Sequence, residues 1–144
     1  MANIQYAKRI VIKVGTSTLT YENGKPNIRG IDHLCRVISD LCNSGREIVL
    51  VTSGALGVGV GKMGLEHRPT DTAGRQAMAA VGQCELMFLY DKIFSEYGMK
   101  TAQILLTRYD VENEQHKKNV IDCMSALLEK SIIPIVNENE TVCS

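Results

Sequence analysis

The chain is 144 residues long and 44% hydrophobic, and sixteen basic residues balance sixteen acidic ones. That length suits one domain with a real core, and a zero net charge gives no field for nucleic acid or an anionic membrane surface. No apolar run is long enough to span a bilayer, and residues 1–9 lack the apolar centre of a signal peptide, so a cytoplasmic protein is expected.

In chain order, a first strand at Ile10–Val14 breaks off into Gly15-Thr16-Ser17. Asn23-Gly24 predicts a tight hairpin turn in an excursion that Pro26 closes. Asn27 then caps a helix whose apolar positions Ile31, Leu34, Cys35, Ile38, Leu41 and Cys42 follow the i, i+3, i+4, i+7 stripe, and Gly45 stands where a C-cap glycine belongs. The second strand, Ile48–Val51, gives way to Thr52-Ser53-Gly54-Ala55. A glycine-rich stretch from Gly54 to Gly64 and a polar loop, Leu65 to Asp71, follow.

From Thr72 to Tyr97 the pattern is one long helix, ended by Gly98. Ala77, Ala80, Val81, Cys84 and Phe88 form one apolar stripe, and Leu86, Leu89, Ile93 and Tyr97 form another. A helix apolar on two sides is packed on both, either in a homo-oligomer interface or beneath another part of the same chain. The third strand, Thr101–Leu106, runs into Thr107-Arg108. A helix from about Glu112 to Lys130 turns Val120, Met124, Leu127 and Leu128 inward. The fourth strand, Ile132–Val136, runs into Asn137-Glu138-Asn139-Glu140. Pro134 within it removes a ladder donor and argues for an edge strand or a local irregularity. No closing helix follows, which leaves a crevice built on the last strand short of one wall.

Strands alternating with helices predict an α/β fold with a parallel sheet and right-handed crossovers. All carboxyl ends then share one edge, where open α/β sheets bind ligands, so the four polar clusters converge on one crevice. An enzyme or a small-molecule binder is the reading.

Five cysteines are present; Cys35, Cys42, Cys84 and Cys123 fall in helical segments, and no CxxC pair or zinc spacing occurs. They read as small core hydrophobes, and no metal site is expected. Gly59-Val60-Gly61-Lys62-Met63-Gly64 matches a dinucleotide fingerprint, but a loop or helical turn precedes it rather than a strand. A Walker A loop fails at Leu56 and Met63. These glycines read instead as close-approach positions.

Lys13 stands in an apolar strand, where burial is costly unless the ammonium reaches an anion, and Gly15-Thr16-Ser17 can present backbone amides beside it. The pair reads as a phosphate grip, against an alternative of a snorkelling edge lysine. Ser53-Gly54 offers a hydroxyl and a close-approach glycine for a second ligand. A nucleophilic serine would want a histidine, and His33, His67 and His116 are not placed to serve. Asn137 to Glu140 offer carboxamides and carboxylates for an ammonium group, or a plain polar loop.

Taken together, Ile12-Lys13-Val14-Gly15-Thr16-Ser17, Val51-Thr52-Ser53-Gly54-Ala55, Ala79-Ala80-Val81-Gly82-Gln83, Gln103-Ile104-Leu105-Leu106-Thr107 and Ile133-Pro134-Ile135-Val136-Asn137-Glu138-Asn139-Glu140 resemble the amino acid kinase family over essentially the whole chain. The Thr-Ser-Gly-Ala turn is similar to that of the members acting on the side chain of glutamate, and unlike carbamate, uridylate and acetylglutamate kinases. The Lys-Val-Gly-Thr-Ser turn alone would also fit an aspartokinase.

The resemblance implies a three-layer αβα sandwich, cut off after its fourth main strand. It implies ATP and Mg²⁺ as cofactors, glutamate as substrate, transfer of a phosphoryl group to its side-chain carboxylate as the first step of proline biosynthesis, and proline as a feedback inhibitor. By the same resemblance Lys13 contacts ATP phosphates with Gly15, Thr16 and Ser17 as the amide cradle. Ser53, with Gly54 and Ala55, holds glutamate, and Asn137 and Glu140 hold its amino end. The family usually has aspartate at the position of Glu140; the extra methylene carries the carboxylate about 1 Å further. The family's domain also continues beyond this point, so residues 1–144 are expected to be its N-terminal, glutamate-binding portion and inactive alone. A non-catalytic glutamate-binding or assembly module is the alternative.

Overall fold

The computed structural model describes residues 4–142. After a short 3-10 turn, Ile4–Tyr6, the elements are β1 (Arg9–Lys13), α1 (Thr16–Leu19), α2 (Ile28–Asn43), β2 (Glu47–Val51) and α3 (Ala55–Met63). Then come α4 (Thr72–Glu96), β3 (Lys100–Leu106), α5 (Arg108–Glu112), α6 (Glu114–Glu129) and β4 (Ile132–Glu138). The four strands form one parallel sheet in the order β1-β2-β4-β3.

Helices cover both faces, which gives the three expected layers. On one face α2 and α4 pack Ile31, Cys35, Ile38, Leu86, Tyr90 and Phe94 against Ile48, Leu50, Ile133 and Ile135. On the other, Leu128 of α6 meets Val49 and Val136. Burial pushes the Cys35 thiol up to about 12, with nearby Asp32 adding to the effect, so this cysteine is an inert core residue.

Local chemistry sets the boundaries. Asn27 caps α2 by accepting from Gly30 N at 3.0 Å. The Asn23-Gly24 excursion closes through an antiparallel bridge between Thr20 and Pro26. Helix α3 lies so close to α4 that a Cβ on Gly59 would overlap the Met78 carbonyl, and one on Gly82 would overlap the Ala55 carbonyl. Of the fingerprint-like glycines, Gly59 packs against α4, Gly61 against the backbone of Gly24, and Gly64 ends α3 with a positive φ.

Several expectations need correction. Strand β4 is internal, between β2 and β3, although it carries Pro134. Pro134 pairs with Ala102 of β3, while the β2 ladder holds only Leu50↔Ile135 and Val51↔Val136. Val136 O accepts from Thr52 N, so the proline nitrogen two residues earlier faces β2, where no pairing has begun. The missing donor coincides with the late start of the β2 ladder, the local irregularity that was the other expectation for this proline.

Strand β1 is an edge strand, and Lys13 is exposed rather than buried. Val11, on the same face, is 64% exposed. The burial argument for Lys13 fails because no helix covers that face of β1. The helix expected from about Glu112 to Lys130 is α6, and the short α5 before it was not expected; Asn113 ends α5 and its side chain caps α6 by accepting from His116 N at 3.0 Å.

In α4 the Leu86–Ile93 stripe is the core face, whereas Ala77, Ala80, Cys84 and Phe88 face solvent. Cys84 and Cys123 are exposed, not core residues, and Cys42 is half-buried; Cys143 lies outside the described residues. Asn137 and Glu138 belong to β4 rather than to a loop after it.

Candidate functional site

Three strand ends meet at one edge of the sheet. The ladders continue one residue beyond the strands: Val14 N donates to Val51 O and Thr52 N to Val136 O, each at 2.8 Å. These bonds hold the turns after β1, β2 and β4 level with one another. Ser53 Oγ adds a tie across the first two, donating to Val14 O at 3.2 Å. Gly54 then turns the chain into α3 with φ of 90°, a conformation that disfavours a side chain. A Cβ there would also stand 3.4 Å from the Thr16 side chain.

Between these turns and the start of α4 lies an open crevice of about 380 Å³. Thr16, Ser53, Gly54 and Glu140 line it, four residues that the sequence singled out. Glu138, Arg68, Thr72, Arg75 and Gln76 line it as well. The first-turn amides of α3, after Gly54, have no partner within the helix and are natural anion receivers.

The other anticipated residues lie elsewhere. Ser17 lines a neighbouring groove that shares Thr16, Gly57 and Arg68 with the crevice. Lys13 and Gly15 line neither. Ala55 is buried and borders a narrow cleft beside Glu138 and Glu140. Asn137 is also buried: its Nδ2 donates to Gln83 Oε1 at 2.8 Å, and its Oδ1 accepts from Glu138 N at 2.9 Å. Its carboxamide thus braces β4, and Glu138 faces the crevice in its place. The Thr107-Arg108 cluster does not join the crevice; Thr107 forms a capping box with Asp110 at the start of α5.

Charge across the crevice is divided. Glu138 and Glu140 form one wall, at the end of β4. Burial pushes the Glu140 carboxyl up from its ordinary value, Glu138 pushes it further, and Arg75 pulls it back down. Arg68, from the loop before α4, and Arg75, from its first turn, bring positive charge to the same crevice. Sequence reading missed both, although one signal was available: Arg75 is a cation in the first turn of α4, where the helix dipole opposes it. Among the described residues no group of three or more His, Cys, Asp or Glu is placed to hold a metal ion. No helix there is long and apolar enough to cross a membrane.

The sequence profile of the amino acid kinase family matches residues 8–143. The chain belongs to the amino acid kinase family. Among curated relatives, the glutamate 5-kinase of Clostridium perfringens is 60% identical over 136 residues, 94% of this chain and 51% of that protein. The glutamate 5-kinase of Enterococcus faecalis is 54% identical, over 96% of this chain and 51% of its own length. That of Listeria welshimeri is 52% identical, over 97% of this chain and 51% of its own length. This amino acid kinase chain therefore spans about half the length of the curated relatives it matches. Among solved structures, the product complex of isopentenyl phosphate kinase from T. acidophilum superposes with a TM-score of 0.59 at 14% identity, covering 88% of this chain and 53% of that one. At that identity the likeness speaks for the shared fold alone.

Proposed function

We propose that the crevice binds glutamate and that the whole enzyme transfers the γ-phosphoryl group of ATP to the glutamate side-chain carboxylate. The observation that carries this reading is the division of the crevice. An anion-receiving end is built from Thr16, Ser53-Gly54 and the start of α3, and an acidic end from Glu138 and Glu140. A glutamate molecule has a carboxylate for the first and an ammonium for the second. The identity to glutamate 5-kinases over 94–97% of the chain supports the same substrate.

The chemistry asks little of acid or base groups. The accepting carboxylate is already ionised at neutral pH, so the work is to bring two anions together and neutralise charge on the moving phosphoryl group. Lys13 and the amides of Gly15, Thr16 and Ser17 take the phosphates in this reading. Lys13 is free to swing, being an exposed side chain three residues before Thr16 of the crevice. The Ser53 hydroxyl, held on Val14 O, is released to the substrate carboxylate when glutamate enters. Mg²⁺ carried by the nucleotide would supply counter-charge on the phosphates, beside Lys13 and the Gly15 to Ser17 amides. Cytoplasmic proline biosynthesis, with proline competing for the same crevice, completes the proposal.

The chain also self-associates in this reading, through the exposed stripe Ala77, Ala80, Cys84 and Phe88 of α4 rather than through the buried Leu86 stripe.

Calorimetric titration of the folded chain with glutamate and with aspartate tests the binding step. Saturable binding that favours glutamate is expected. No binding by a folded sample, or a preference for aspartate, would overturn the reading.

A further inference from the structure

The two guanidinium groups of the crevice are not neutralised by the fold. Neither Arg68 nor Arg75 forms an ion pair with a carboxylate among the described residues. Arg75 has one long contact, from Nη1 to Pro69 O at 3.5 Å. Its place in the first turn of α4 sets its charge against the helix dipole, so local helix stability does not account for it either. An exposed cation with no carboxylate partner, which disfavours its own helix and lines a crevice with Glu138 and Glu140, is placed for a ligand.

The two arginines serve different ends of the crevice. Arg68 lies over α3: its Nη2 is 3.2 Å from the point where a Cβ of Gly57 would stand, and the Thr16 methyl is 3.6 Å from that same point. Arg68 thus belongs with the Thr16 turn. Arg75 is the cation whose charge is felt by Glu140. In an α-amino acid the ammonium and the α-carboxylate share one carbon. A group that holds the one must therefore neighbour the group that holds the other.

Resting on the glutamate reading, with the ammonium on Glu140, we propose that Arg75 binds the substrate's α-carboxylate and makes the crevice selective for α-amino acids. The ligand then spans the crevice: ammonium at Glu140 just after β4, α-carboxylate on the first turn of α4, side-chain carboxylate at Ser53-Gly54. Arg75 is a specificity-determining residue, and the strained charge at the start of α4 is relieved on binding.

The test compares glutamate with 4-aminobutyrate, which keeps an ammonium and the distal carboxylate but has no α-carboxylate. Both are titrated by calorimetry into the wild-type chain and into Arg75→Gln, Arg75→Lys and Arg68→Gln, with circular dichroism melts confirming that each variant is folded. Wild type is expected to bind glutamate at least tenfold tighter than 4-aminobutyrate. Arg75→Gln should weaken glutamate roughly 10- to 100-fold, as expected for losing a charge-assisted hydrogen bond, and leave 4-aminobutyrate unchanged. Arg75→Lys should recover part of the loss, and Arg68→Gln should weaken both ligands alike. If Arg75→Gln binds glutamate within twofold of wild type, or weakens both ligands equally, the proposal is overturned while the glutamate reading stands. A wild-type chain that binds neither ligand overturns the glutamate reading and this proposal together.

Discussion

Asn137 Nδ2 donates to Gln83 Oε1 across 2.8 Å, and Gln83 Nε2 in turn donates to Gln103 Oε1 at 2.9 Å. This chain of carboxamides joins the end of β4 to the middle of α4 and to β3. Asn137 is 4% exposed and Gln83 is 9% exposed, so neither can turn to water if its partner is lost. Replacing Gln83 with leucine keeps the volume but leaves the Asn137 amide without an acceptor. The expected cost is about 1–3 kcal/mol, read as a lower midpoint in urea unfolding with an unchanged slope. A Gln83→Leu chain as stable as wild type would show that the bond contributes nothing.

Gly82 is the tightest point between α3 and α4. A methyl group there would overlap the Ala55 carbonyl, a backbone atom that cannot rotate away. The helices must separate at the point where α3 begins, directly behind Ser53-Gly54. Gly82→Ala should therefore cost roughly 3 kcal/mol or more, the upper end for overpacking a core. Because it moves the start of α3, glutamate affinity should fall with stability. A thermal melt within two degrees of wild type would refute the close packing.

Most of the fold was legible because periodicity and caps are local. The stripe of α2, its Asn27 cap, the 20–26 hairpin and the parallel strands all follow from residues a few positions apart. Strand order is not local. Nothing near Pro134 tells that β4 lies inside the sheet, and nothing near Lys13 tells that β1 lies at its edge. The same gap explains the site. Thr16, Ser53, Gly54 and Glu140 are legible because they follow strands, whereas Arg68 and Arg75 come from a loop and a helix start that only the folded chain brings into the crevice with Glu140.

Asp110 gives the chain an acid-sensitive joint. His116 Nδ1 lies 2.8 Å from its Oδ1, and Thr107 donates through both its backbone N–H and its hydroxyl to Oδ2, each at 2.8 Å. Together these bonds hold its carboxyl at about 2, down from 3.8, with His116 the largest cause. A depressed carboxyl stabilises the fold above its unfolded value, and that contribution is lost as pH falls from about 3.8 towards 2. Asp110→Asn should be less stable than wild type at neutral pH, with the difference shrinking through that window. Parallel stability curves for the two proteins down to pH 2 would exclude the effect.

Phe88 is 57% exposed on a stripe with Ala77, Ala80 and Cys84, while Leu86 on the other side is fully buried. Charge at Leu86 would break the core; charge at Phe88 would not. If the stripe is where two copies meet, Phe88→Glu should give a monomer by sedimentation velocity at micromolar concentration, with an unchanged far-ultraviolet spectrum. Wild type sedimenting as a monomer under those conditions would remove self-association from the proposal.

Glu140 links binding to pH. Burial and the neighbouring Glu138 raise its carboxyl above the ordinary 4.5, with Arg75 opposing them. For the free chain this means that the neutral form is the better tolerated, so Glu140 favours the fold at low pH, and this advantage is lost as pH rises through its raised value. Glutamate binding runs the other way, because its ammonium needs the charged carboxylate. Affinity should hold near neutrality and fall on acidification earlier than an unperturbed glutamate side chain would allow. Glu140→Gln removes both the charge and its titration. At pH 7 it should cost about 1.5–3 kcal/mol of binding free energy, the range for a hydrogen bond to a charged group, and the remaining affinity should be flat across that acid range. Glu140→Asp keeps the charge but draws it back about 1 Å, so its affinity should stay within tenfold of wild type. Calorimetry at half-unit pH steps checks all three, and a Glu140→Gln chain that binds glutamate as tightly as wild type would take the ammonium away from this residue.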